Sequence, residues 1–223
     1  MSILIKLLIR TGKIAAHTIA KIDIEGMDRI PQEGGCVVVS NHIGRLDAML
    51  GMVLAERDDV IMFVAEKYQK YAFWRWVVRQ VDGIWLNRFD TDFHALREVH
   101  KRLKAGGILA IAPEGTRSQS GKLLPGKHGA AFLAAKAGVP IVPIALTGTE
   151  DAVVKAQLRR FRRLDVKIQV GEPFALPPLD RKNRDAYLEE QTTEMMCRIA
   201  AMLPPDYHGH YAEHPRLLAL SDG

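Results

Sequence analysis

Cysteine is scarce in this sequence: Cys36 and Cys197 are the only two in 223 residues, and they stand far apart without a CxxC spacing. The sequence therefore supports neither a disulfide framework nor a cysteine-ligated zinc site, and it fits a reducing compartment. A loose histidine cluster, His208, His210 and His214, has no cysteine or acidic spacing to support it, so no metal site is predicted.

Motifs of several enzyme and binding classes are also missing. No GxSxG elbow is present, which argues against a serine hydrolase. Neither GxxxxGK(S/T) nor GxGxxG follows a predicted strand, so nucleotide-binding folds lack support. No helix-turn-helix, zinc-finger or aromatic RNA-binding pattern accompanies the basic residues.

Long apolar runs are absent: no segment approaches the roughly 20 uninterrupted apolar residues of a membrane-spanning helix. The small-residue cleavage site of a signal peptide is also missing, so a signal peptide is not predicted. Residues 1–21 are instead predicted to form an amphipathic helix. Five basic residues recur every three or four positions opposite an apolar face: Lys6, Arg10, Lys13, His17 and Lys21. Such a helix suits an anionic membrane surface, with peripheral or monotopic attachment at the cytoplasmic side of the cell membrane. The alternative is a helix packed on the protein's own core with a solvated basic face.

Positive charge exceeds negative charge, with a net charge of +5 and a pI of about 9.2. This excess suggests an anionic partner, which could be a phosphate-bearing substrate, a membrane surface or nucleic acid. One basic cluster stands out in the second half of the chain: Lys155, Arg159, Arg160, Arg162 and Arg163.

Segments that read as apolar strands alternate with segments that read as helices, and 48% of residues are apolar. This pattern predicts a single α/β domain, with a mixed, mostly parallel sheet flanked by helices on both faces. We divide the chain into an N-terminal helix at 1–21, an α/β domain at 22–205 and a polar C-terminal tail at 206–223. Two prolines in the segment 139–146 cannot donate to a strand ladder, so an edge or irregular strand is expected there.

The segment VVVSNHIGRLDAML, residues 37–50, reads as a buried strand that stops at a histidine and restarts as a helix. If His42 lies in the turn and Asp47 in the first helical turn, the carboxylate could hold one imidazole nitrogen. The other nitrogen could then take a proton from a hydroxyl. The alternative is an ordinary helix start, with Ser40 or Asn41 as N-cap and Asp47 as a solvated acid.

Charged residues follow two further predicted strands, at Arg88 and at Glu114 with Arg117. Open α/β sheets bind ligands outside the carboxyl ends of their strands, so these residues are expected to share one cleft with His42. Two arginines suit a phosphate group, and a histidine with an aspartate suits deprotonation of an alcohol. Together they predict group transfer to a hydroxyl of a phosphorylated small molecule, whereas surface ion pairing, for instance with Glu114, is the alternative for each arginine.

Four short blocks in this sequence resemble, in order, the motifs of the glycerolipid acyltransferases, and in particular the 1-acylglycerol-3-phosphate acyltransferases. The blocks are NHIGRLD at 41–47, GIWLNR at 83–88, PEGTR at 113–117 and VPIVP at 139–143. The resemblance implies that His42 is the general base and that Asp47 orients its imidazole. The acceptor oxygen would then attack the acyl thioester directly, without an acyl-enzyme.

The same resemblance implies that Arg88 and Arg117 bind the phosphate of the acceptor, with Glu114, Gly115 and Thr116 shaping that pocket. The acceptor would be lysophosphatidic acid at an anionic membrane surface, in phospholipid biosynthesis. Glycerol-3-phosphate or another lysolipid remain alternative acceptors, because Ile43-Gly44-Arg45 departs from the residues that the family often has after its histidine.

Acyl-coenzyme A or an acyl carrier protein would supply the acyl group as co-substrate, and the resemblance implies no metal and no cofactor. Lys67 and Lys127 are weaker candidates for contacts to phosphate or to the thioester donor. The alternative from another class is a non-catalytic, basic protein that binds membrane or nucleic acid.

Overall fold

Strands and helices alternate along the chain in a computed structural model, which describes residues 3–54, 57–86 and 93–221. The helices are α1 Ile3–Ile19, α2 Leu46–Leu54, α3 Ala72–Gln80, α4 Phe93–Lys104, α5 Gly129–Ala137, α6 Asp151–Arg159, α7 Arg184–Ala201 and α8 Pro215–Ser221. The strands are β1 Ala20–Glu25, β2 Cys36–Ser40, β3 Val60–Ile61, β4 Phe63–Ala65, β5 Ile84–Leu86, β6 Ile108–Ile111, β7 Ile141–Thr147 and β8 Leu164–Val170.

Six strands form the central sheet in the order β1-β8-β7-β2-β6-β3, and β4 and β5 form a small second sheet. All neighbours are parallel except β7 and β8, which are antiparallel. The predicted mixed, mostly parallel α/β fold is therefore confirmed. The strand predicted over 60–65 is divided at Met62, whose carbonyl accepts a hydrogen bond from Ile84 N at 2.8 Å.

Strand β2 is apolar on both sides because helices cover both faces of the sheet. Val37 and Val39 belong to the main core, into which α4, α5 and α7 contribute Val99, Leu133 and Met195. The alternate residues Cys36 and Val38 face the other side, toward the turns before β2. Helices α1 and α2 cover part of that second face through Ala16 and Leu50.

Strand β7 lies in the interior of the sheet, between β8 and β2, so the prediction of an edge strand was wrong. Pro140 precedes the strand, and its carbonyl accepts from Val37 N at 2.9 Å. The carbonyl of Pro143 accepts from Gly171 N at 2.8 Å, just past the end of β8. The N–H and C=O of one strand residue point to the same neighbouring strand. The position of the missing N–H of Pro143 therefore faces β8, and its absence costs no hydrogen bond to β2.

Residues 206–221 are not a separate polar tail. They form two 3-10 turns and α8, and they place Tyr211 and Leu217 in the main core with 4% and 1% exposure. The Tyr211 hydroxyl accepts a hydrogen bond from Gly126 N at 2.9 Å. Helix α8 was not predicted because seven residues, fewer than two full helical turns, are too few to show a helical period.

The predicted N-terminal helix ends at Ile19, and the next residues, Ala20 and Lys21, begin β1. It packs through Ala16 but leaves Leu7 and Ile14 exposed, at 55% and 63%. No helix in the described ranges combines the length and the apolar character needed to cross a bilayer. Helix α6, which carries part of the basic cluster, was not predicted.

Candidate active site

His42 stands at the carboxyl end of β2, two residues after the strand ends. The preceding residue, Asn41, is 1% exposed and continues the pairing with β7 through its side chain. Its amide donates to the carbonyl of Leu146 and accepts from Leu146 N, both at 2.8 Å. This reciprocal pair satisfies the buried amide and fixes the point at which the chain turns toward the histidine.

The imidazole and carboxylate predicted to meet are in contact, since His42 Nδ1 lies 2.8 Å from Asp47 Oδ2. The same oxygen accepts the N–H groups of Ile43 and Gly44, each at 2.8 Å. Thr149 Oγ1 donates to the other oxygen, Oδ1, at 2.6 Å. The Asp47 side chain is only 7% exposed, which argues against the alternative of a solvated helix-start acid.

Four donors therefore hold one carboxylate in a fixed position against the imidazole ring. Because Nδ1 faces Asp47, Nε2 is the ring nitrogen left to act on another molecule. The His42 side chain is 26% exposed, so a small hydroxyl compound can reach it. The arrangement can accept a proton from an alcohol while the aspartate compensates the charge that the imidazole gains.

Thr149 is a site residue that the sequence analysis missed. It follows Gly148 in the loop after β7, at the same sheet edge as His42, because β7 and β2 are parallel. The loop passes very close to the histidine turn: a Cβ built on Gly44 would lie 1.7 Å from the Thr149 carbonyl oxygen. Only the position of Gly148-Thr149 directly after an apolar strand could have indicated it.

Glu114 lies beneath the site and is 2% exposed. Its Oε1 accepts from His42 N at 2.9 Å and its Oε2 accepts from Leu124 N at 3.0 Å. Burial raises the pKa of this carboxyl group, and the two N–H donors oppose that shift. Both oxygens are occupied by backbone, so the carboxylate shapes the pocket by joining the histidine turn to the loop 113–127.

Arg117 extends from the same loop and is 30% exposed. Its Nη2 lies 3.4 Å from Asp151 Oδ2, so its ion pair is with Asp151 rather than with Glu114. Asp151 Oδ1 also accepts from Arg45 N at 3.0 Å. The guanidinium therefore stays at the sheet edge that carries His42, at a position half open to solvent.

Lys127 lies over the turn at Gly115, whose φ is +68°. A Cβ built on Gly115 would come within 3.0 Å of the Lys127 ammonium nitrogen, but it is the positive φ that makes this turn favour glycine. Thr116 is exposed beside it. The loop thus brings Lys127 to the turn at Gly115, two residues before Arg117.

Two other cations were predicted to bind phosphate or the donor. Arg88 lies outside the described residues. Lys67 is exposed just after β4, and its ammonium is 5.1 Å from the ring centre of Tyr68. The observed partner of Lys67 is thus an aromatic ring on the protein surface.

An apolar cavity of about 150 Å³ adjoins the site on the sheet face opposite the main core. It reaches Asp47 at one end and the start of β6 at Ile108. Between them the wall consists mostly of aliphatic side chains from neighbouring strands, including Val38, Ile144 and Leu146. A slot of this kind, beginning beside a polar site, fits a hydrocarbon chain whose reactive end lies at the site.

The sequence profile of the acyltransferase family matches residues 21–147, more than half of the chain. The chloroplastic 1-acyl-sn-glycerol-3-phosphate acyltransferase BAT2 of Brassica napus is 31% identical over 170 residues, covering 73% of this chain and 48% of that protein. The 1-acyl-sn-glycerol-3-phosphate acyltransferase alpha of Homo sapiens is 33% identical over 159 residues, covering 69% and 54%. The chain thus spans about half the length of these two relatives.

A solved structure is also similar. The crystal structure of the 1-acyl-sn-glycerophosphate (LPA) acyltransferase PlsC from Thermotoga maritima superposes with a TM-score of 0.63 at 27% identity. The match covers 83% of this chain and 75% of the other.

Proposed function

The chain belongs to the acyltransferase family, and from this we propose that it transfers a fatty acyl group from a thioester to the hydroxyl of 1-acyl-glycerol-3-phosphate, in phospholipid biosynthesis. The observation that carries the proposal is the 2.8 Å contact between His42 Nδ1 and Asp47 Oδ2, beside an apolar cavity. The relatives named as 1-acyl-sn-glycerol-3-phosphate acyltransferases support the choice of acceptor.

His42 acts as the general base in the proposed reaction. Its Nε2 removes the proton from the acceptor hydroxyl while the oxygen attacks the thioester carbonyl, and Asp47 stabilises the imidazolium. The tetrahedral intermediate then expels the thiolate, which takes the proton back from Nε2. The products are the ester and a free thiol.

The protein's own thiols do not carry the acyl group in this mechanism. Cys36 and Cys197 are both buried, and burial raises the pKa of each thiol to about 11. A buried, protonated thiol is a poor nucleophile. Direct transfer from donor to acceptor therefore accounts better for the site than an acyl-enzyme.

Positive charge at the loop 113–127 supports a phosphorylated acceptor. Arg117 extends from this loop and Lys127 lies over its turn at Gly115, and we assign Arg88 to the same phosphate on the strength of its motif. The cavity beside Asp47 would hold the acyl chain. Either acyl-coenzyme A or an acyl carrier protein fits as donor, and the reaction needs no cofactor.

Peripheral attachment to an anionic membrane completes the proposal. Helix α1 exposes Leu7 and Ile14, and an apolar surface of this kind is costly in water but stabilising at a lipid interface. The exposed Arg10 and His17 on the same helix would face lipid phosphates.

The test is thioester turnover by the purified protein, measured as thiol release, with a panel of lysophospholipids, glycerol-3-phosphate and both donor types. We expect His42→Ala to lower kcat by about 10²–10⁴-fold, because a positioned base contributes that much. Arg117→Ala should raise the KM for a phosphorylated acceptor. Wild-type turnover by His42→Ala would show that the base is wrongly assigned, and no turnover by the wild type with any acceptor would end the proposal.

A further inference from the structure

The turn between α6 and β8 carries an aromatic side chain that the fold does not use. Phe161 is 99% exposed, and its φ of +52° lies in the left-handed region. Water contact is unfavourable for a phenyl ring, and left-handed backbone is unfavourable for a bulky residue. Glycine or asparagine would stabilise this turn better, so folding alone does not explain Phe161.

Four arginines surround this ring in sequence and are all exposed: Arg159, Arg160, Arg162 and Arg163. None of them forms an ion pair with an acidic side chain among the described residues. Leu158, one turn earlier on α6, is 47% exposed. We call residues 158–163 the α6–β8 tip; it combines uncompensated positive charge with apolar surface.

The α6–β8 tip lies at the sheet edge that carries His42. Strands β2 and β7 are parallel and end at that edge, and β8 runs antiparallel to β7, so β8 begins there. The tip directly precedes the first residue of β8, Leu164. A surface bound by the tip would therefore face the opening of the site.

The tip is also attached to α1. Arg163 donates to the carbonyl of Ala20 at 2.7 Å and to the carbonyl of His17. These bonds satisfy one carbonyl in the last turn of α1 and one at the first residue of β1, and they place the tip beside the end of the helix. Leu7 and Ile14 of α1 are exposed aliphatic side chains, so the apolar surface is not confined to one ring.

We propose that the α6–β8 tip docks on an anionic lipid bilayer, with Phe161 inserted at the level of the headgroups and the arginines bound to lipid phosphates. Aromatic rings favour this interfacial layer, and clustered basic residues favour anionic lipid. Aliphatic side chains such as those of α1 gain from lipid but cannot stack on bases, which favours a bilayer over nucleic acid. The proposal rests on the proposed function insofar as the acceptor is a membrane lipid.

Phe161→Gly separates docking from folding. Because the ring is fully exposed and glycine tolerates positive φ, the free energy of unfolding should stay unchanged or rise. Binding to vesicles of phosphatidylglycerol and phosphatidylcholine should weaken about tenfold or more, because the inserted ring is lost. Leu218→Ala, which removes an exposed apolar side chain (53%) from α8, should leave vesicle binding unchanged.

The double variant Arg160→Gln with Arg162→Gln tests the charge. Each lost cation should weaken binding to the anionic vesicles about fivefold, and the dependence of binding on salt should become shallower. Phosphatidylcholine vesicles alone should bind weakly and should not distinguish this variant from the wild type.

Wild-type vesicle binding by Phe161→Gly would overturn the docking proposal. So would a gel shift in which the arginine variant loses duplex RNA binding while its vesicle binding is intact, which would assign the tip to nucleic acid. Thioester turnover by the wild type is measured separately. Vesicle binding that depends on Phe161 without any turnover would support docking and end the proposed function. Turnover together with vesicle binding that does not depend on Phe161 would support the proposed function and end the docking proposal.

Discussion

At the scale of single residues, the site depends on how closely two loops approach each other. Gly44 has no Cβ, which lets the Thr149 loop come near enough for its hydroxyl to reach Asp47 at 2.6 Å. Asp47, five residues away in sequence, therefore orients the imidazole of His42. Thr149, more than a hundred residues away, acts on the imidazole only through Asp47.

Gly44→Ala should disturb this approach, because the added Cβ would lie 1.7 Å from the Thr149 carbonyl oxygen. We expect the free energy of unfolding to fall by about 1–3 kcal/mol, as for other overpacked sites, and turnover to fall with it. Gly129→Ala is the matched control, because a Cβ there meets no atom within 4 Å. Urea unfolding should show that control unchanged or more stable by up to about 1 kcal/mol; equal effects of the two changes would contradict the interpretation.

The two thiols give a second prediction at this scale. Burial raises the pKa of Cys36 and of Cys197 to about 11. At pH 8 only about one thiol in a thousand is then ionised, and access is blocked as well. We expect a disulfide reagent to label neither cysteine in the native protein and both in 6–8 M urea, where about two equivalents should react. Rapid native labelling at pH 8 would show that a thiol is exposed.

At the scale of elements, the Arg57 side chain links the segments that precede three neighbouring strands. The Arg57 guanidinium, 12% exposed, donates to the carbonyls of Pro31 at 2.8 Å, Gly34 at 2.9 Å and Gly106 at 2.6 Å. These carbonyls lie in the turns before β2 and β6, and Arg57 itself precedes β3. The planar group with five donors suits this task, whereas lysine presents a single ammonium.

Arg57→Ala should therefore leave three carbonyls without their donor and lower the free energy of unfolding by about 2–4 kcal/mol. Lys101→Ala, on the exposed side of α4, should change it by less than about 0.5 kcal/mol. Denaturant unfolding at neutral pH distinguishes them. Similar values for both would mean that the turns hold their conformation without Arg57.

Arg57 also forms an ion pair with Asp59, and this pair predicts a pH dependence of stability. The hydrogen bond from Arg57 lowers the pKa of Asp59 below its ordinary value of 3.8. A carboxyl group whose pKa is lowered by folding stabilises the protein above its unfolded-state pKa, and this contribution is lost as pH falls through the folded-state pKa. Between neutral pH and about pH 3, the wild type should thus lose more stability than Arg57→Ala. Parallel curves for the two proteins would contradict this.

At the scale of the whole molecule, the carboxyl-terminal segment is part of the core that supports the site. Leu217 is 1% exposed, whereas its neighbour Leu218 is 53% exposed. Leu217→Ala should lower the free energy of unfolding by about 2–5 kcal/mol, because it leaves a cavity. Leu218→Ala should change it by less than about 0.5 kcal/mol. Equal, small effects of the two changes in urea unfolding would show that residues 206–221 do not contribute to the core.

How much of this molecule the sequence predicts depends on whether the information is local. His42 with Asp47, and Glu114 with Arg117, were placed at strand ends from short segments, because each strand, turn and helix start is readable within a few residues. Thr149 and Asp151 were missed because they reach the site only through the pairing of β7 with β2. The edge-strand prediction from Pro143 failed for the same reason. Whether a proline is tolerated at this position depends on the strands that flank β7, and these are set by segments far away in sequence.

Glu114 ties the backbone of His42 to the loop that carries Arg117 through two hydrogen bonds, at 2.9 and 3.0 Å. Under the proposed function, mutations that reshape this loop to admit a different headgroup would also shift the proton acceptor. Substrate preference and catalytic speed would thus be mechanically linked. A lineage that changes one is expected to need compensating substitutions for the other.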